Sequence, residues 1–584
     1  MKTLKLFNAV VAKESTDVPF VSQEGFIIES NALWAKDRIL GFFRQEKLGG
    51  NELNKTFHKS WTKIKNSSRV ELLTHQILHY LSTYGSDFKD EVYIPDEISE
   101  VPDVKLIFKV IKALSKEEMI DKCLSLLKSG IALDEETIND ALSILVDELQ
   151  YTFTGEEGVR NKEAIIKIAD LYGILPSDTM EFFRYVIYRA TGQSLLIKNK
   201  EMIELIKDSN YNPCAQLQQF GLQKLATIFN RFKPLFLAFK PKCGSTINKI
   251  SKLSKKYHRP LVSNPLGFVT SALLTKDNLH WLDNATPFAL FKAISACYSR
   301  KNGQTSFVYR IRNGKSWVTT NEATNQLIAG NNFSFLQAYL RKRFSLEGKK
   351  IFLPADIKYA LPTSEKMFVG NIPTGTRFYG TKLAVGIYWE NSWGASDIDL
   401  SGINIGGKVG WNSLYNQGID GLMYSGDLTD ASHGAVEYLY ANDGLQNPTL
   451  VQSNVFSGDD NCGYKVIVGR GDKISRNYMM NPNNLFAEAK SNSVQKQTIL
   501  GIFLPLKSKQ VFVLLNFGAG SLRVSGNSPH SFTAMEALYE QWNSPYSFNR
   551  LVSMLGAELV DDAEKADYDF TLDSLEKDSF VRLF

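Results

Sequence analysis

Between Leu383 and Trp389 apolar side chains fall at every second position, Leu383, Val385, Ile387 and Trp389. A pleated strand imposes that period, so the stretch predicts a half-buried β-strand. Farther along, Ser396-Asp397-Ile398-Asp399-Leu400 puts two carboxylates on one strand face and directs Ile398 and Leu400 into the core. Like charges held that close repel unless a cation lies between them. Ser425-Gly426-Asp427 adds a third carboxylate at a glycine turn, and Asp430, His433 and Gly434 lead into another strand, 435–441. An oxygen-rich, sulfur-free set of this kind suits a hard ion such as calcium. Plain turn chemistry uses the same residues, because Asp side chains cap their own backbone and glycine supplies positive φ. His433 has no serine or cysteine nucleophile motif near it and reads as a solvated loop histidine.

The order of these motifs resembles a known family. A strand, Asp-x-Asp-Leu, Gly410-Trp411, Ser425-Gly426-Asp427, a short polar loop, Gly-x-x-Glu from Gly434 to Glu437 and a closing strand are similar to the TerD-type domain of bacterial tellurite-resistance and stress proteins. The resemblance covers roughly residues 376–470. It implies a β-sandwich that binds calcium through loop aspartates, and it carries ligand roles onto Asp397, Asp399 and Asp427. Family members usually have a denser acidic run after the Gly-Asp step, whereas here 428–433 holds Asp430 alone.

At 584 residues the chain is too long for one core and predicts several domains. The five cysteines are scattered, with no Cys-x-x-Cys pair, and read as reduced thiols rather than a zinc site or disulfide framework. No apolar run reaches the roughly 18 residues of a membrane-spanning helix. The N-terminal apolar stretch is broken by Lys5 and Asn8 and reads as a first strand, not a secretion signal. A cytoplasmic protein without a membrane partner is the expectation.

Much of the remaining N-terminal half has helical periodicity. Val70, Leu73, Ile77, Tyr80 and Tyr84 mark one amphipathic helix, whose His75 and His79 lack the third ligand and the glutamate of a metalloprotease. After an acidic, proline-punctuated linker at 87–103, helices are expected over 104–114, 116–130, 134–151, 160–173 and 177–191, with Ser115 and Glu118 as a capping box. From Ser209 to Lys276 there is no Asp or Glu, while lysines and arginines are spread throughout and Phe229, Phe232, Phe236, Phe239 and Tyr257 interleave. Phosphate neutralisation with base stacking is one reading, carried by Lys249, Lys252, Lys255, Lys256 and Arg259. The other is a phenylalanine core beneath a solvated lysine face. The last segment, 558–584, combines acids, among them Asp561, Asp562 and Asp569, with apolar anchors. It reads either as a segment that docks on the basic tract of the same or a neighbouring molecule, the latter giving a head-to-tail homo-oligomer, or as a solvated acidic tail or a last helix packed on its own domain.

The fold class expected is thus α+β and multidomain: a mainly helical domain at 1–208, a basic mixed domain at 209–345, a TerD-like antiparallel β-sandwich at 346–526, and C-terminal helices with an acidic tail at 527–584. The expected function is a non-enzymatic stress-response or scaffold protein that binds calcium and self-associates into oligomers or filaments. A nucleic-acid-binding protein and a virion structural protein are the alternatives. A metal-dependent hydrolase ranks last, because no phosphate loop, nucleophile elbow or metalloprotease helix is present.

Overall fold

A computed structural model describes residues 1–22, 26–56, 68, 70–71, 74, 109–129, 133–258, 269–270, 272–275, 282–283, 285–310, 316–320, 325–363, 367–411, 413, 421–459, 461–471, 480–518, 537–542 and 545–584. The fold is α+β and divides into two compact units, residues 1–13 with 112–268, and residues 14–111 with 269–584. The expected boundaries at 208, 345 and 526 do not coincide with that division. The helix carrying His75 and His79, together with Arg259 and most of the linker at 87–103, lies outside the described residues.

The first unit is a helical array. Its N-terminal segment is not the single strand expected: Lys2–Phe7 forms a helix that buries Leu4, Leu6 and Phe7, Asn8 closes it in the left-handed conformation, and Ala9–Val11 then pairs in parallel with residues 112–114. Helices follow at Lys116–Lys128, Glu135–Ser143, Lys162–Tyr172, Thr179–Thr191, Lys200–Asp208 and Lys240–Tyr257, with shorter ones between. Their starts follow side-chain chemistry. Ser115 and Glu118 make the reciprocal capping box, and Asp178 caps Thr179–Thr191, accepting from the N–H groups of Met180 and Glu181. The phenylalanines of the acid-free tract are core: Phe229, Phe236 and Phe239 are buried with Phe182 and Phe183, and the Phe183 and Phe236 rings stack at 3.9 Å. Burial removes them as stacking platforms for bases, although Phe229 lies in the turn after Leu222–Ala226, Phe236 on the short helix Lys233–Ala238 and Phe239 just beyond it.

In the second unit, residues 109–111 are strand, not the helix expected over 104–114, and pair in parallel with Phe26–Ile28. A short run rich in Val and Ile takes its conformation from the ladder offered to it. Helices Pro287–Lys301 and Gln326–Arg343 pack together, and Ser306–Arg310 forms an antiparallel hairpin with Ser316–Thr320.

The centre of this unit is a pair of facing antiparallel sheets. Along the chain their strands are β1 (Ile357–Lys358), β2 (Arg377–Gly380), β3 (Leu383–Trp389), β4 (Ala395–Asn404), β5 (Gly407–Gly410), β6 (Leu422–Tyr424), β7 (Ala435–Ala441), β8 (Thr449–Gly458), β9 (Gly463–Arg470), β10 (Leu485–Asn492), β11 (Gln497–Pro505) and β12 (Gln510–Gly518). The larger sheet runs β5-β4-β8-β11-β12-β2-β1 and the smaller β6-β7-β3-β9-β10. Ile398 and Leu400 face the smaller sheet, as does Gly402, where an added Cβ would meet Leu422 and Leu439 at 2.8 and 3.2 Å.

Strand β3 is buried along its whole length, not half-buried as its alternation suggests. Residues 47–56 cover the outer face of its sheet. Leu48 and Leu53 join Ala384, Tyr388, Val436, Tyr438, Tyr440 and Ile467 in one apolar cluster. The Tyr438 hydroxyl donates to the Leu53 carbonyl at 2.6 Å, and the Asn54 amide exchanges two 3.0 Å hydrogen bonds with the Met480 backbone. Where the β6 ladder ends, the Val436 N–H donates to the Lys55 carbonyl. Gly386, opposite Tyr438 in β3, lets the tyrosine ring lie against the sheet: a Cβ there would be 2.5 Å from it.

The acidic C-terminal segment is also packed within its own unit. Strands Glu558–Val560 and Tyr568–Asp569 flank Lys350–Phe352 in parallel, and Phe570 and Phe580 pack on Tyr359 and Phe548. Asp562 caps a short turn at Glu564, and Asp569 accepts from Thr571 and Ser574. Buried Phe570, Leu575 and Phe580 thus dock the segment on its own unit beside short strands, neither as a solvated tail nor as a last helix. Asp561 is exposed.

Truncating Leu53 should be costly, because its side chain is wholly buried against the sheet. For Leu53→Ala we expect a loss of about 2–5 kcal/mol, read as a lower urea midpoint of the tryptophan fluorescence transition. An unchanged midpoint would show that residues 47–56 contribute nothing to the core.

Candidate metal centre

Strand β4 and the crossing after β6 build the centre. In β4, Asp397 lies opposite Ser457 and Asp399 opposite Asn454 of β8, with register shifts on either side of Asp397. Such a bulge re-aims side chains at the end of a ladder. Gly458 permits the close approach: a Cβ on it would lie 2.6 Å from the Ala395 Cα. The third aspartate comes from Ser425-Gly426-Asp427, where Gly426 adopts φ 125°, a conformation glycine alone takes readily. Ser425 is pinned to β7 by two bonds, its N–H donating to the Tyr438 carbonyl and its hydroxyl accepting from the Tyr438 N–H.

These elements bring Asp397, Asp399 and Asp427 together, one carboxylate oxygen of each lying within 4.8 Å of the others. The three residues are 4%, 2% and 4% exposed. Each also has a buried carboxylate oxygen with no hydrogen-bond partner among the described residues: Oδ1 of Asp397, Oδ2 of Asp399 and Oδ1 of Asp427. An unpaired buried charge is among the least favourable arrangements in a protein interior. Burial first, and the neighbouring carboxylates second for Asp397 and Asp399, push the acids well above the usual carboxylate range. The cluster must therefore hold protons or a cation. For three atoms no more than 4.8 Å apart some point always lies within about 2.8 Å of all of them, close to the roughly 2.3–2.6 Å of calcium–oxygen bonds.

Polar neighbours line the same sheet face. By register, Ser401, Lys408 and Asn454 share it with Asp399. The Asn454 amide donates to the Ser401 hydroxyl at 3.3 Å and accepts from the Gln497 amide at 3.0 Å. Burial lowers the Lys408 pKa to about 8, with the Asp399 charge opposing it.

Two acidic groups were not assigned to the centre by sequence reasoning, and one of them belongs there. Glu437 is fully buried beside Asp399 and Asp427, and its signal was a lone carboxylate inside the apolar strand Ala-Val-Glu-Tyr-Leu-Tyr-Ala. Asp430 stands apart, exposed and bonded to the Asn391 amide and Ser432. His433 is exposed too, and its carbonyl accepts from the Lys55 ammonium. Lys249, Lys252, Lys255 and Lys256 sit exposed on helix Lys240–Tyr257 of the other unit. Among the described residues no helix is long and apolar enough to cross a membrane.

Compared with family models, curated proteins and solved structures, this chain matches none, so the chemistry of the centre is argued from its own residues.

Proposed function

We propose that the chain is a non-enzymatic structural protein whose sandwich binds a divalent cation, calcium in the first instance, through Asp397, Asp399 and Asp427. The observation that carries this reading is the convergence of three buried carboxylates, each with an unpaired oxygen. Calcium accepts six to eight oxygen ligands in irregular geometry, whereas magnesium retains several waters, and a site this dry favours the former. Deep burial also favours a stabilising ion over a catalytic one, since a catalytic metal keeps an open position for substrate. This is the reading the TerD-like order of motifs implies, and a scaffold or stress-response role in the cytoplasm is its natural setting.

Thermal melts of the full chain in chelator and in excess calcium test it. Binding to the folded state alone adds about 2.7 kcal/mol at a hundredfold excess over Kd, so calcium should raise the melting temperature of the sandwich. Asp399→Asn should remove that increment without lowering the melting temperature in chelator, because it removes a buried charge. Identical melts of the wild-type chain with and without calcium would sink the proposal.

The melts should also depend on pH in a defined direction. Folded-state pKa values raised above the unfolded value mean that protons stabilise the metal-free fold. That contribution is complete below about pH 4, the pKa of an unfolded aspartate, and is lost as pH rises through the raised values into the neutral range. Calcium should therefore stabilise more at pH 8 than at pH 5, and an equal increment at both would contradict the assignment.

The exposed lysines favour a second activity, binding of nucleic acid through its phosphates. Lys249, Lys252 and Lys256 lie on one face of a helix within a tract that contains no acid. With the phenylalanines in the core, recognition would be electrostatic and independent of sequence. Anisotropy of single-stranded RNA should show log K falling with log salt by about 0.7 per phosphate neutralised. Replacing Lys249, Lys252, Lys255 and Lys256 with Gln should flatten that slope, and equal slopes would exclude this face.

A further inference from the structure

We infer that Glu437 is the positioning residue of the cation centre, holding two of its aspartates in place through their backbones. The inference rests on the cation-binding reading and adds a residue to it. Glu437 is wholly buried in the middle of β7 and crosses from the smaller sheet towards β4 of the larger. Its Oε2 accepts from the Leu400 N–H at 2.7 Å and from the Tyr424 hydroxyl at 2.6 Å, and its Oε1 accepts from the Leu428 N–H at 2.9 Å.

The two backbone donors are informative. Leu400 follows Asp399 and Leu428 follows Asp427, so one carboxylate fixes the peptide units next to two ligands that are 28 positions apart in the chain. Tyr424 adds the strand from which the Asp427 turn departs. All three groups donate, and the carboxylate accepts through both of its oxygens. Glutamine cannot reproduce it, because its amide nitrogen would face a donor.

A side chain that only filled space would contribute to folding and leave ion affinity alone. A positioning carboxylate also sets where the Asp399 and Asp427 backbones stand, so disturbing its hydrogen bonds displaces the ligands and lowers ion affinity. Groups that orient metal ligands typically change affinity by about 10–100-fold when removed.

Isothermal titration of the full chain with calcium, alongside melting in chelator, separates these roles. For Glu437→Gln we expect affinity to fall by about tenfold or more, alongside a lower melting temperature in chelator because the amide nitrogen meets the Leu428 N–H. Tyr424→Phe, which keeps the carboxylate and removes one donor, should give a smaller loss of affinity. If Glu437→Gln does not fold, the Tyr424→Phe affinity decides the matter. Wild-type affinity in both variants, each shown to be folded by its melt in chelator, overturns the role of Glu437 while leaving the cation centre intact. Failure of the wild-type chain to bind calcium overturns both.

Discussion

Three carboxylates that water scarcely reaches repel one another, and the sandwich is arranged to keep them together. The bulge in β4, the glycine turn before Asp427 and the crossing of Glu437 between sheets all converge on that one place. A core built only for stability would have apolar residues there, since replacing buried ionic groups with packed hydrophobes is often neutral or favourable. Retaining four acids in a buried cluster is a cost that a bound cation would offset.

Strand β7 ties this centre to the outside of its sheet. Successive side chains point to opposite faces, so Glu437 turns towards the aspartates while Val436 and Tyr438 pack under residues 47–56. The two faces are thus one residue apart along a strand. The outer covering also explains why an alternating pattern became a fully buried strand: the larger residues face one sheet and the smaller Ala384 and Gly386 accommodate the tyrosines on the other side.

What could be read from the sequence was local. Strand alternation in 383–389, the Ser115 and Glu118 box, and Asp397, Asp399 and Asp427 as a cluster all depend on residues near one another or on a motif with fixed chemistry. The parts that escaped depend on distant partners. Residues 109–114 became strand because parallel neighbours were available, and the acidic tail found its place beside Lys350–Phe352. Phe229, Phe236 and Phe239 could equally have been a core or a stacking surface from spacing alone, and only packing against Phe182 and Phe183 decides. Glu437 was visible as an oddity in an apolar strand, but its role requires knowing that Leu400 and Leu428 lie on either side of it.

The covering segment has a consequence for synthesis. Leu53 and its hydrogen-bond partner Tyr438 are 385 residues apart, so at about 5–20 residues per second the segment emerges roughly 20–80 s before the surface it covers exists. During that interval Leu48 and Leu53 have no native partner in β7 to pack against. The smaller sheet is therefore a late product of vectorial folding, with high contact order and a period in which its future cover is available to chaperones or to the wrong chain.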